Sequence, residues 1–111
     1  MSTAVLFIAR QFPLISELSK LSRPAFQTRL RTLERDPFVA ILELVHNVVN
    51  NETLAATLNA AERKFNRDHR AKLQALIHPS KTEQFKRRLL TAAGPLFLRK
   101  LLKPVQRYLQ L

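Results

Sequence analysis

The residues able to do chemistry are few in kind. Three histidines, His46, His69 and His78, fall on different segments, and Asp68 is the close acidic candidate beside them. A zinc site needs several such ligands to converge, so no metal site is expected. His69 lies on an apolar stripe and reads as a core or groove histidine. The absence of Cys removes disulfides and thiolate ligands. A single glycine, Gly94, excludes Gly-rich phosphate loops and dinucleotide fingerprints, which are built on several. No carboxylate pair, nucleophile elbow or Ser–Lys box is visible. The chain is therefore expected not to be an enzyme and to need no cofactor.

The chemistry that remains is charge. Nineteen Lys and Arg against eight Asp and Glu give a net +11, and the sequence pI is about 11.4. A domain this basic points to a polyanionic partner, nucleic acid or an anionic membrane. Residues 1–61 hold six basic and five acidic residues, whereas residues 62–111 hold thirteen against three. The first half reads as a near-neutral packing module and the second as a contact surface. The expected phosphate contacts are Arg63, Lys64, Arg67, Arg70 and Lys72 on one helix and Lys86, Arg87 and Arg88 on the next. Arg99, Lys100, Lys103 and Arg107 form a reserve surface. A solvated basic face is the plain alternative, but concentrated like charge repels itself unless something neutralises it. Phe65, Phe85, Phe97 and Tyr108 sit on apolar stripes, which favours phosphate contact over stacking on bases. No motif for reading base sequence is present.

The elements that must position these residues are all helical. At 111 residues and 46% apolar composition the chain is one domain with enough apolar mass for a core. Asp36 and Pro37 suit a helix start, and Phe38, Ile41, Leu42, Val45, Val48 and Val49 recur at three- and four-residue steps up to Asn50. Asn50-Asn51 reads as a stop, since Asn tolerates the left-handed conformation. Asn59 and Glu62 have the form of a capping box, opening a helix to about Ile77 with Phe65, His69, Leu73, Leu76 and Ile77 inward. His78-Pro79 ends it. Ser80 and Glu83 form the next box, with Phe85, Leu89 and Ala92 on one face. Gly94-Pro95 separates this helix from the last, where Phe97, Leu98, Leu101, Leu102, Val105, Tyr108 and Leu109 form a broad stripe and Pro104 should kink or break the helix. A short helix over 24–34 turns Phe26, Leu30 and Leu33 inward. The first 21 residues permit helix, interrupted at Pro13. The expected fold class is all-α, a small irregular bundle of five or six short helices.

Residues 1–16 lack acids and include Arg10, a faint likeness to an organelle-targeting segment, but such segments are richer in Arg and Ser. No apolar run reaches the roughly 20 residues needed to span a bilayer. The sequon Asn51-Glu52-Thr53 reads as a chance match.

The order of pieces from Arg23 to Leu102 resembles the small basic proteins of Maverick/Polinton elements and the related adintoviruses. The likeness lies in Asn47-Val48-Val49-Asn50-Asn51 closing an apolar helix, then Arg63-Lys64-Phe65 and His69-Arg70 with Leu73 and Leu76. Lys86-Arg87-Arg88-Leu89-Leu90 follows, and then Gly94 with Phe97-Leu98 and Leu101-Leu102. The resemblance implies a virion or core role in a double-stranded DNA virus or virus-derived element. The implied location is the virion, with the host nucleus during assembly. It implies no catalytic activity. Relatives tend to carry a Gly pair and a nearly uncharged apolar tail. Ala93-Gly94 and the charged residues Arg99, Lys100, Lys103 and Arg107 depart from that pattern and make a purely membrane-inserting tail less expected.

Three functions therefore compete. The first is a non-enzymatic protein that neutralises DNA phosphates non-specifically and helps package the genome. The second is a membrane-active protein using residues 95–111 as a cationic amphipathic helix. The third is a capsid-lining scaffold that pairs with itself or with a coat protein. In the last two, Phe97, Leu98, Leu101, Leu102 and Tyr108 would make the contact. The alternative for that stripe is docking into the bundle, which Pro104 favours by spoiling a long continuous face.

Overall fold

The computed structural model describes residues 3–50 and 54–109. Among the described residues seven α-helices run in chain order: α1 Thr3–Leu18, α2 Arg23–Arg31, α3 Arg35–Val49, α4 Ala60–Asp68, α5 Arg70–Ile77, α6 Glu83–Ala93 and α7 Pro95–Tyr108. A 3-10 turn, Ala55–Thr57, lies between α3 and α4. No strand occurs among the described residues. The all-α class holds; the count exceeds the expected five or six because the stretch from Asn59 to Ile77 divides at His69.

α3 is the centre. Phe38, Ala40, Ile41, Leu44 and Val45 are wholly buried along it, and it packs on both α1 and α5. α1 presents Val5, Ile8, Phe12, Ile15 and Leu18, a three- and four-residue spacing that makes one continuous stripe. α2 packs on α6, and α7 returns to close on α1 and α6. The buried apolar residues form one cluster. The Cα radius of gyration, 12.8 Å, agrees with the ~13 Å of a compact chain of this length. The two halves of the sequence thus interleave rather than form a packing layer and a contact layer: α3–α5, α2–α6 and α1–α7 all cross the division.

Several local expectations are corrected. α3 starts at Arg35 with Glu34 as N-cap, so Asp36 serves its first turn rather than its cap, where a negative charge still favours the helix dipole. Asn50 does close α3, but at φ −99°, outside the left-handed region. Asn51 and the sequon of residues 51–53 lie outside the described residues. Thr82, not Ser80, caps α6 by accepting from the Phe85 N–H at 3.1 Å. Ser80 instead turns back to His78 Nδ1 at 2.7 Å.

Neither internal proline breaks its helix: α1 runs through Pro13 and α7 through Pro104. Pro104 is flanked by buried Leu101, Leu102 and Val105, whose packing offsets the lost backbone bond. Gly94 separates α6 from α7 at φ +90°, a conformation that favours glycine. A Cβ there would also stand 3.2 Å from the Arg23 guanidinium.

Asn47 is buried on α3, and its Oδ1 accepts from the Leu54 N–H at 2.6 Å. That bond fixes the start of the 3-10 turn against α3, and buried Leu54 and Leu58 complete the contact.

Candidate nucleic-acid interface

The basic surface begins with a well-made helix start. Asn59 Oδ1 accepts from the Glu62 N–H at 2.9 Å, and Glu62 Oε1 accepts from the Asn59 N–H at 3.0 Å. The capping box expected from these two residues is present. Arg107 of α7 then joins it. Its guanidinium donates to both Glu62 oxygens, at 2.8 and 2.6 Å, and to the Thr57 carbonyl at 2.7 Å. These charge-assisted bonds hold the Glu62 carboxyl below its usual 4.5 and raise Arg107 in turn.

With α4 anchored at its start, Phe65 turns toward α7. Its ring lies 4.5 Å from His69 and 5.4 Å from Phe97, centroid to centroid. His69 meets the edge of Phe97 at 5.4 Å. His69 is thus a packing residue between helices, as its place on the apolar stripe suggests. The ammonium groups of Lys72 and Lys100 lie over Phe97 and Phe65 at 5.1 and 5.7 Å.

The opposite side of α4 carries the exposed arginines. Arg63 and Arg67 stand one turn apart, and Arg70 follows just beyond the His69 break. All three are exposed and make no ion pair among the described residues. Arg67 and Arg70 border an open groove of ≈ 360 Å³ with Asn50, Asn66 and Gln74. Lys64 differs: it donates to Asp68 at 2.8 Å, and that bond lowers the Asp68 carboxyl.

Three of the arginines on α6 and α7, Arg87, Arg99 and Arg107, do other work. Arg87 is only 17% exposed. It donates to the Leu30 carbonyl at 2.9 Å, stacks 4.5 Å over Phe38, and pairs with Glu83 at 3.3 Å. It joins α6 to α2 and α3, so this expected phosphate contact is held within the fold rather than standing free in solvent. Arg99 donates twice to the Ser19 carbonyl, at 3.0 and 3.3 Å, tying α7 to the end of α1. Arg23 reaches Ala92 O at 3.4 Å. Arg88 is exposed and Lys86 half-buried, both without an ion pair among the described residues.

Arg87 also explains why the inward face of α6 differs from expectation. Leu90 is its one buried side chain, whereas Phe85 is exposed with Lys81 5.0 Å over its ring, and Ala92 is exposed. Arg87 lies one turn before Leu90 and takes an inward position, while Leu89 still packs half-buried against the core as its place on the stripe suggests.

The terminal stripe docks into the bundle. Phe97, Leu98, Leu101 and Leu102 are buried, and Tyr108 is half-buried against the core. As folded, Phe97, Leu98, Leu101 and Leu102 are spent on the core, the docked alternative for this stripe, rather than offered to a membrane or partner. No described helix is long and apolar enough to cross a membrane.

The comparisons add no relative. Compared with family models, with curated proteins and with solved structures, the chain matches none. Among the described residues no group of three or more histidines and carboxylates is placed to hold a metal ion. What the surface offers is positive charge: the guanidiniums of Arg63, Arg67 and Arg70 on one ridge, with the Arg88 guanidinium and the Lys86 ammonium on α6. Arg99, Arg107 and Arg23 were not legible as tethers. The available signal was their closeness to apolar stripe positions, such as Arg99 beside Leu98 and Arg107 beside Tyr108.

Proposed function

We propose that this chain is a non-enzymatic protein that binds DNA through its phosphates, without sequence preference, as a virion core or genome-packaging component of a double-stranded DNA virus or virus-derived element. The observation that carries the binding half of this reading is the α4–α5 ridge. Arg63, Arg67 and Arg70 are exposed and make no ion pair among the described residues. Each presents a planar fork of donors that suits a phosphate. The viral setting rests on the sequence resemblance described above.

The reading has a quantitative signature. Neutralising Z phosphates on duplex DNA makes log K fall against log salt with slope about −0.9Z. With Arg87, Arg99 and Arg107 committed to the fold, about three to five phosphates remain within the protein's reach, giving a slope of roughly −3 to −4.5. Fluorescence anisotropy with a labelled duplex across a salt series measures it. Two unrelated duplex sequences should give the same slope and the same affinity. Salt-insensitive binding, or none at low salt, would overturn the reading.

A further inference from the structure

α2 comes from the near-neutral half of the sequence and α6 from the basic half, yet they pack together. Between them runs an open groove of ≈ 610 Å³ whose lining includes Gln27, Arg31, Gln84, Arg87, Arg88 and Thr91. No carboxylate lines it. The neighbouring Glu83 is paired with two guanidiniums, Arg87 at 3.3 Å and Arg35 at 3.5 Å. Thr91 gives its hydroxyl proton to the Arg87 carbonyl at 2.7 Å, leaving the Gln27 and Gln84 amides as the neutral donors.

The three arginines differ in how they are held. Arg87 is fixed by the Leu30 carbonyl, Glu83 and the Phe38 ring. Arg31 on α2 and Arg88 on α6 are exposed and make no ion pair among the described residues. They come from the two facing walls, so an anion between them receives forks from both sides, with Arg87 contributing fixed positive charge. Low-dielectric walls strengthen such an interaction relative to open water.

We infer that the α2–α6 groove binds a phosphate dianion, as carried by pyrophosphate, a nucleotide or the 5′-phosphate end of a strand. Arg31 and Arg88 supply the paired forks, and Gln27 and Gln84 donate to the remaining oxygens. A dianion matches the local excess of guanidinium better than the single charge of a backbone phosphodiester. This site is distinct from the α4–α5 ridge.

The test is calorimetric titration of the full chain with inorganic pyrophosphate at low salt. Saturable one-to-one binding is expected. Arg31→Gln and Arg88→Gln should each weaken it about tenfold or more, by loss of charge-assisted hydrogen bonds. Their melting temperatures should equal wild type, because neither side chain holds the fold. Arg10→Gln, an exposed cation on α1, should leave binding unchanged, as should substituting the ridge arginines.

A 5′-phosphorylated duplex and its 5′-hydroxyl twin separate the sources. Tighter binding of the phosphorylated form, abolished by Arg31→Gln, assigns the groove to a strand end. Equal binding of the two, with pyrophosphate still bound, assigns it to a free nucleotide. No saturable pyrophosphate binding, or binding that Arg31→Gln and Arg88→Gln both leave intact, overturns the site while leaving the ridge reading to its own salt test. Pyrophosphate binding without any duplex binding would uphold the groove and overturn the ridge.

Discussion

Two sets of arginines of identical chemistry behave oppositely in this fold. Arg87, Arg99 and Arg107 on α6 and α7 reach across to backbone carbonyls of Leu30, Ser19 and Thr57. Arg63, Arg67 and Arg70 on α4 and α5 make no ion pair among the described residues. The first set closes chain separations of 57, 80 and 50 residues. The second stands outward with its full charge. Net charge alone therefore overstates the contact surface of a small basic protein, because guanidinium is also a long tether with donors enough to satisfy helix-end carbonyls.

The comparison breaks first where it depends on the shared core. Val45 and Leu73, buried on α3 and α5, hold the elements that position both sets. Val45→Asp or Leu73→Asp buries an unpaired charge and should cost several kcal/mol. Circular dichroism should show loss of the cooperative melt. A wild-type melt in either variant would dismantle the core described here.

Next comes Arg87. Arg87→Ala leaves the Leu30 carbonyl without its donor and uncovers Phe38, and should destabilise by roughly 2 kcal/mol. Chemical denaturation reads this as a lower midpoint with unchanged slope. An unaltered midpoint would return Arg87 to the solvated set. Asn47→Ala, which strips the Leu54 N–H of its buried acceptor, should follow at about 1–2 kcal/mol.

The Glu62–Arg107 clamp is smaller and is best read through pH. The Glu62 carboxyl is held below 4.5 in the folded chain, chiefly by its hydrogen bonds from Arg107. A depressed carboxyl contributes stability that is fully present above its unfolded value and lost as pH falls through the folded one. Wild type should therefore lose more melting temperature than Glu62→Gln on acidification from about pH 6 to about pH 3. Parallel losses in the two proteins would show that the clamp adds nothing. Lys64→Ala, at the exposed Asp68 pair, should change stability by less than about 1 kcal/mol.

Much of the frame was legible in the sequence because it rests on local rules. The Asn59–Glu62 box, the stop at His78-Pro79 and the Gly94-Pro95 boundary depend on neighbours in the chain, and all three are present. The stripe of α3 was legible in part: Phe38, Ile41, Val45 and Val48 are buried as expected, but Leu42 and Val49 are only half-buried, and Ala40, Leu44 and Asn47 are buried beside them. Tertiary choices were not legible. Whether Pro104 breaks α7 depends on what packs around it. Whether Arg87 faces water or Phe38 depends on Leu30 of α2 and Phe38 of α3, 57 and 49 positions away in the chain. Of the five basic residues expected as contacts on α4 and α5, Arg63, Arg67 and Arg70 stand exposed without an ion pair among the described residues, whereas Lys64 pairs with Asp68 and Lys72 lies over Phe97. The groove was not legible, because Arg31 and Arg88 become neighbours only through the pairing of α2 with α6.

The division between tethering and free arginines is tested most directly by one triple variant. Arg63→Gln, Arg67→Gln and Arg70→Gln together should leave the melt within about 0.5 kcal/mol of wild type, as for surface substitutions. The same protein's duplex affinity, followed across a salt series, should show a slope shallower by about 2 to 3 units. A slope equal to wild type at unchanged stability would contradict the account, since the ridge would then carry charge that meets no phosphate.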